Sequence, residues 1–131
     1  IGPPDNGVRR ADSSRKDHAL GTIVDSRHLR IAEVDLVDRE RTDPETGIIS
    51  SRVLWTDGGQ SHGIWQMTPG VLRNVAGPES VALVAGRARV TVHPSEEVFE
   101  IAAGDAFVID ADETATWEVL ETVRKFYVVN R

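Results

Sequence analysis

Along the chain, short apolar runs alternate with charged and Gly/Pro-rich breaks. In the stretch Glu79-Ser-Val-Ala-Leu-Val-Ala-Gly86-Arg-Ala-Arg-Val-Thr-Val92, a lone Gly separates an apolar run from one that alternates with Arg and Thr. This predicts two buried strands joined by a tight turn at Gly86. Leu29, Ile31, Val34, Leu36 and Val37 predict an earlier first strand, followed by a charged turn with Asp43, Pro44 and Gly47 as breakers. Further strands are predicted over residues 48–55, 63–68, 71–75, 98–101, 106–109, 115–120 and 124–129. Asp57-Gly58-Gly59, Pro69-Gly70, Ala76-Gly-Pro78 and Ala103-Gly104-Asp105 punctuate them. About nine short strands with regular turn signals and no long helical period predict an all-β barrel or sandwich. Residues 1–28 are too polar to bury much area. They predict an arm ahead of a barrel spanning 29–131, with a helical turn over 12–18 capped by Asp12 or Ser13.

Composition narrows the function classes. A chain of 131 residues is one domain with room for one core. A net charge of -6 argues against nucleic acid or an anionic membrane surface as the main partner. No apolar run has transmembrane length and no secretory pattern is read, so a cytoplasmic protein is expected. Cys is absent, which removes disulfides, thiolate metal sites and a Cys nucleophile. No phosphate-cradling Gly loop or catalytic Ser elbow occurs. High Ala, Val, Arg and Asp usage agrees with a GC-rich bacterial source.

Two blocks carry a family resemblance. Glu79, six intervening residues and Gly86 match the end of one motif, and Gly104-Asp-Ala-Phe-Val-Ile109 matches the start of a second. On these, residues 50–129 resemble the cupin superfamily of small jelly-roll barrels (double-stranded β-helices). Gly63-Ile-Trp-Gln-Met-Thr-Pro-Gly70 and Trp117-Glu-Val-Leu-Glu-Thr-Val-Arg-Lys125 are similar to short cupins related to ureidoglycine aminohydrolase and the ethanolamine-utilisation cupins. The resemblance implies a barrel whose open end is the site, and a homodimer that pairs strands and exchanges N-terminal segments. It also implies a metal held by a His-x-His pair, the Glu and a later His. By spacing those His positions fall at Leu72, Asn74 and Ala115, so only Glu79 remains of the set. No metal and no other cofactor is expected. One alternative donor set stays open, in which Glu79 joins His62 and an Asp of the 110–112 turn.

Glu79 reads either as a rim carboxylate paired with Arg73 or Arg87, or as an inward group. In the second reading it shares the barrel face with Val81 and Leu83, and desolvation suits it to general acid or base work. Trp117 lies two residues beyond Ala115 and should point into the barrel, lining a dry pocket. Trp65 and Met67 share one strand face and are either pocket wall or sheet packing. Phe107 reads first as core filler and otherwise, with Leu83, as part of the apolar wall, while Arg73, Asn74 or Tyr127 would orient a substrate. Parity along the last strand sets Arg124 and Phe126 against Lys125 and Tyr127, and either pair can face inward. The expected function is a metal-independent enzyme that moves a proton on a small molecule, as an isomerase, lyase or cyclase. The alternatives are a non-catalytic small-ligand binder and, following the resemblance literally, a metal-dependent amide or ureido hydrolase.

Overall fold

The computed structural model describes residues 26–130. Most of the expected arm, and the whole of the helical turn expected over 12–18, lie outside the described residues. Among the described residues a 3-10 turn at Ile31–Glu33 is followed by eight strands. These are β1 (Val37–Asp38), β2 (Ile49–Asp57), β3 (Gln60–Met67), β4 (Gly70–Ala76), β5 (Glu79–His93), β6 (Glu97–Ala102), β7 (Ala106–Ile109) and β8 (Thr114–Asn130). All are antiparallel, as an all-β jelly roll requires.

Two long strands organise the rest. β5 has 15 residues and β8 has 17, and they run side by side from the Glu79–Val129 pair to the His93–Thr114 pair. On its other side β8 takes β4 along its first half and β3 along its second. β5 takes β7 first and then β6, while β2 and β1 extend the sheet beyond β3. Each long strand therefore serves both leaves of the roll, and the bend falls where the β5–β8 register shifts between Leu83 and Ala88.

Gly86 corrects the sequence reading: it sits inside one continuous strand rather than in a hairpin turn. Its φ is +87°, and a Cβ there would stand 2.1 Å from the Thr122 carbonyl oxygen. A bulge at such a residue bends the strand without ending its pairing. It also slips the two-residue phase by one. Glu79, Val81 and Leu83 are buried before the bend; Ala88, Val90 and Val92 are buried after it. The strands expected over 115–120 and 124–129 likewise merge into β8.

The expected first strand is also corrected. Residues 26–36 form a strap whose carbonyls go to side chains rather than to a neighbouring strand. Arg124 donates to the carbonyls of Ile31 and Val34 at 2.8 and 3.2 Å, and Trp55 Nε1 donates to that of Ser26 at 2.7 Å. Leu54 and Ile64 are fully buried on the sheet face that carries Arg124. The opposite, inner face holds the main core. Through it runs an aromatic row of Trp65, Trp117, Phe107 and Phe99, with neighbouring ring centroids 5.2 to 5.6 Å apart.

The loop after β6 pins the bend. Asp105 accepts the Ala102 amide at 2.9 Å through its carboxylate, and its backbone carbonyl accepts the Leu83 amide at 2.8 Å. Gly104 donates to the Leu83 carbonyl at 2.8 Å, so the Gly104-Asp105 pair closes the backbone bonds of β5 where that strand turns.

Candidate functional site

The inner face of β8 carries Ala115, Trp117, Val119, Val123, Lys125 and Tyr127. The inward pair on the last strand is thus Lys125 and Tyr127, and Arg124 faces the strap. In the β5–β8 register Leu83 stands opposite Lys125, and Glu79 stands opposite Val129, two inward rungs further along. The side chains of Glu79 and Lys125 lean along the sheet to meet. Lys125 Nζ lies 2.7 Å from Glu79 Oε2, with the residues only 4% and 7% exposed. The same ammonium sits 4.7 Å from the ring centroids of both Trp65 and Trp117 and 5.8 Å from that of Tyr127. A desolvated cation over an indole face gains about 2 kcal/mol or more. The charge is therefore held both by the carboxylate and by the aromatic walls.

This pair closes the buried end of a cavity of about 490 Å³. Trp65, Trp117 and Tyr127 form its aromatic wall, and Ile49, Val53, Leu72, Val75 and Val129 its aliphatic one. Exposed Arg39 and half-buried Ser51 and Ser61 supply polar groups further out. Such a volume, mostly apolar with few convergent polar groups, suits a small organic molecule. Gly63 makes room for the Tyr127 ring opposite it: a Cβ at Gly63 would come within 2.6 Å of the ring carbon that carries the hydroxyl, Cζ.

Of the residues singled out from the sequence, Glu79, Trp65, Trp117 and Tyr127 come together here. Met67, Leu83, Phe107, Arg73 and Asn74 do not line it. Met67 and Leu83 are buried in the core, and Phe107 packs behind Trp117 at 5.6 Å between centroids. Arg73 is exposed and paired with Glu45. Asn74 is exposed at φ 59°, within a bulge between Leu72 and Val75. That bulge overturns the simple spacing argument: the inward residues of β4 are Leu72 and Val75, not Leu72 and Asn74. Glu79 takes neither Arg73 nor Arg87 as partner, since Arg87 pairs with Glu121 across the surface. Sequence reasoning missed Lys125 as a site residue. The usable signal was parity, because counting by twos from Trp117 lands on Lys125.

These residues do not fit a metal centre of the cupin type. Leu72 and Ala115 offer no donor atom, and Asn74 points away. The one carboxylate is already matched by an ammonium. His62 lies on the outer face of β3, between Trp55 and Phe126 at 6.2 and 6.4 Å, so it cannot join Glu79. Among the described residues no three His, Cys, Asp or Glu side chains converge.

A jelly roll whose first long strand opens with an inward Glu, closed by a Gly-Asp loop, defines a cupin. The chain belongs to the EutQ-like cupin domain family, whose pattern matches residues 54–127. Solved structures agree in fold. The EutQ protein of Clostridium difficile is 15% identical, with 79% of this chain and 85% of that one covered at a TM-score of 0.66. A cupin 2 conserved barrel protein of Rhodopseudomonas palustris is 17% identical, with coverages of 75% and 72% and a TM-score of 0.63. The Cnp3 cupin domain of Schizosaccharomyces pombe is 16% identical, with coverages of 79% and 74% and a TM-score of 0.60. No curated protein matches the chain. Among the described residues no helix is long and apolar enough to cross a membrane.

Proposed function

We propose that the chain is a metal-independent catalyst of proton transfer on a small organic molecule, of isomerase, lyase or cyclase type. One observation carries this reading: a Glu79–Lys125 pair at 2.7 Å closes the buried end of an aromatic-walled cavity. A carboxylate and an ammonium in hydrogen-bond contact form a ready acid–base couple. Glu79 takes a proton from a carbon acid, and Lys125 stabilises the negative charge that develops on the adjacent oxygen. Trp65, Trp117 and the aliphatic wall exclude water and orient the substrate.

The test is deuterium wash-in. The protein is incubated in heavy water with a panel of small ketones and oxo acids, and exchange at the carbon beside the carbonyl is followed by NMR. Catalysed exchange for at least one compound, with a loss of about a hundredfold in Glu79→Gln, is the expected result. Compounds that bind but exchange no faster than in buffer would favour the non-catalytic binding module, for which the neutralised carboxylate is the supporting observation. We also propose a homodimer. Among the described residues β6 and β7 pair with β5 alone, leaving strand edges that a second copy would cover.

A further inference from the structure

We propose that Lys125 is a nucleophile that forms an imine with a small aldehyde or ketone, and that the cavity is fitted to 2-oxo acids. This rests on the reading of the cavity as a site of chemistry. Its starting point is the choice of cation. The chain holds thirteen Arg and only two Lys, Lys16 and Lys125. Arg is the better residue for a static buried ion pair, since its planar fork engages a carboxylate with two bonds and keeps its charge. At the position facing Glu79 the chain departs from its own preference. It places there the one cationic side chain that can give up a proton and add to a carbonyl.

The surroundings supply what the reaction needs. In the resting pair Lys125 is held 2.7 Å from Glu79. Glu79 takes one ammonium proton, and the amine adds to the carbonyl carbon. A C–N bond forms, and the π pair moves to oxygen, which takes the proton from Glu79. The carboxylate then removes a proton from nitrogen and returns it to the hydroxyl group. The C–O bond breaks, and one water leaves. The product is an iminium on Lys125 beside an ionised Glu79, so the charges of the resting state are restored. The two indole faces 4.7 Å from Nζ hold the iminium cation as they hold the ammonium. Arg39 lines the same cavity toward solvent and offers a guanidinium for the carboxylate of an oxo acid. From the iminium, loss of the neighbouring proton to Glu79 gives an enamine, which links this chemistry to proton transfer.

The presence of only two lysines makes the test direct. The whole chain is incubated with pyruvate or phenylpyruvate and sodium cyanoborohydride, then mapped by peptide mass spectrometry. One reduced adduct per chain at Lys125 is expected, formed faster than at Lys16 and faster than at Lys125 in urea-unfolded chain. It should be lost in Lys125→Arg. Adducts confined to Lys16 and the N-terminal amine, or Lys125 labelling no faster than in the unfolded chain, would overturn the proposal. If deuterium exchange persists without an adduct at Lys125, the imine is refuted while proton transfer by Glu79 stands. An adduct without exchange supports the imine and removes the proton-transfer reading instead.

Discussion

Removing either member of the Glu79–Lys125 pair leaves the other charge buried without its partner. A buried charge that loses its partner costs about 3–5 kcal/mol, whereas replacing both by neutral groups of similar volume is often close to neutral. Glu79→Gln and Lys125→Met should therefore each destabilise strongly. The double variant should recover at least about 1–3 kcal/mol relative to the sum of the two. Urea unfolding of the four proteins measures this, and strict additivity would mean the two groups do not interact. Gly63→Ala is a second test at this scale. The added methyl meets the Tyr127 side chain and the Arg52 carbonyl oxygen, the latter at 2.8 Å. A loss of about 1–3 kcal/mol is expected, with part of it restored in Gly63→Ala/Tyr127→Phe. The sequence left Glu79 open between the rim and the interior; the two-residue period that ties it to Val81 and Leu83 supplied the inward alternative, and its burial at 7% exposure selects it. Lys125 was not legible, because a basic residue on a strand is usually solvated. Its inward face follows only once β8 is known to continue unbroken from Trp117.

Among the strands, the bend at Gly86 decides whether the roll closes. Gly86 and Gly104 both have positive φ, at +87° and +99°, yet their surroundings differ. Nothing lies within 4 Å of a Cβ at Gly104, while one at Gly86 strikes the Thr122 carbonyl and backbone of Val123. Gly104→Ala should cost about 1–2 kcal/mol from backbone strain alone. Gly86→Ala should cost clearly more, and equal losses in thermal unfolding would contradict the assignment of a steric role to Gly86. Arg124 tests the strap. Arg124→Ala frees the carbonyls of Ile31 and Val34, and faster amide exchange across residues 31–36 is expected while β3 and β5 keep their protection. Uniform loss of protection would show that the strap is part of the global fold. Strand existence was largely readable from periodicity and turn residues, as in β2, β3, β4, β6 and β7. The merging of segments into β5 was not, because a bulge glycine and a turn glycine leave the same local signature, and in β8 the polar Glu121-Thr122 step interrupts the apolar pattern without ending the strand. Residues 29–36 misled for a related reason: an apolar spacing that suits a strand also suits a strap fastened by side chains.

For the molecule as a whole, the two long strands hold both leaves together and place the cavity beside Glu79 of β5 and Lys125 of β8. The cupin architecture was legible from two short motifs. The content of the site was less so, because bulges at Asn74 and Gly86 alter which residues face inward without altering composition. Light scattering in line with size-exclusion chromatography should report a mass of two chains, and a single-chain mass would remove the homodimer.

A carbonyl ligand is expected to enter the cavity that Glu79 and Lys125 line. With Lys isotope-labelled at Cε, the protein gives two correlations, one from Lys125 and one from Lys16. Addition of phenylpyruvate should shift the Lys125 signal saturably and leave Lys16 in place. A Lys125 signal that stays fixed across the titration, or a shift confined to Lys16, would contradict the account.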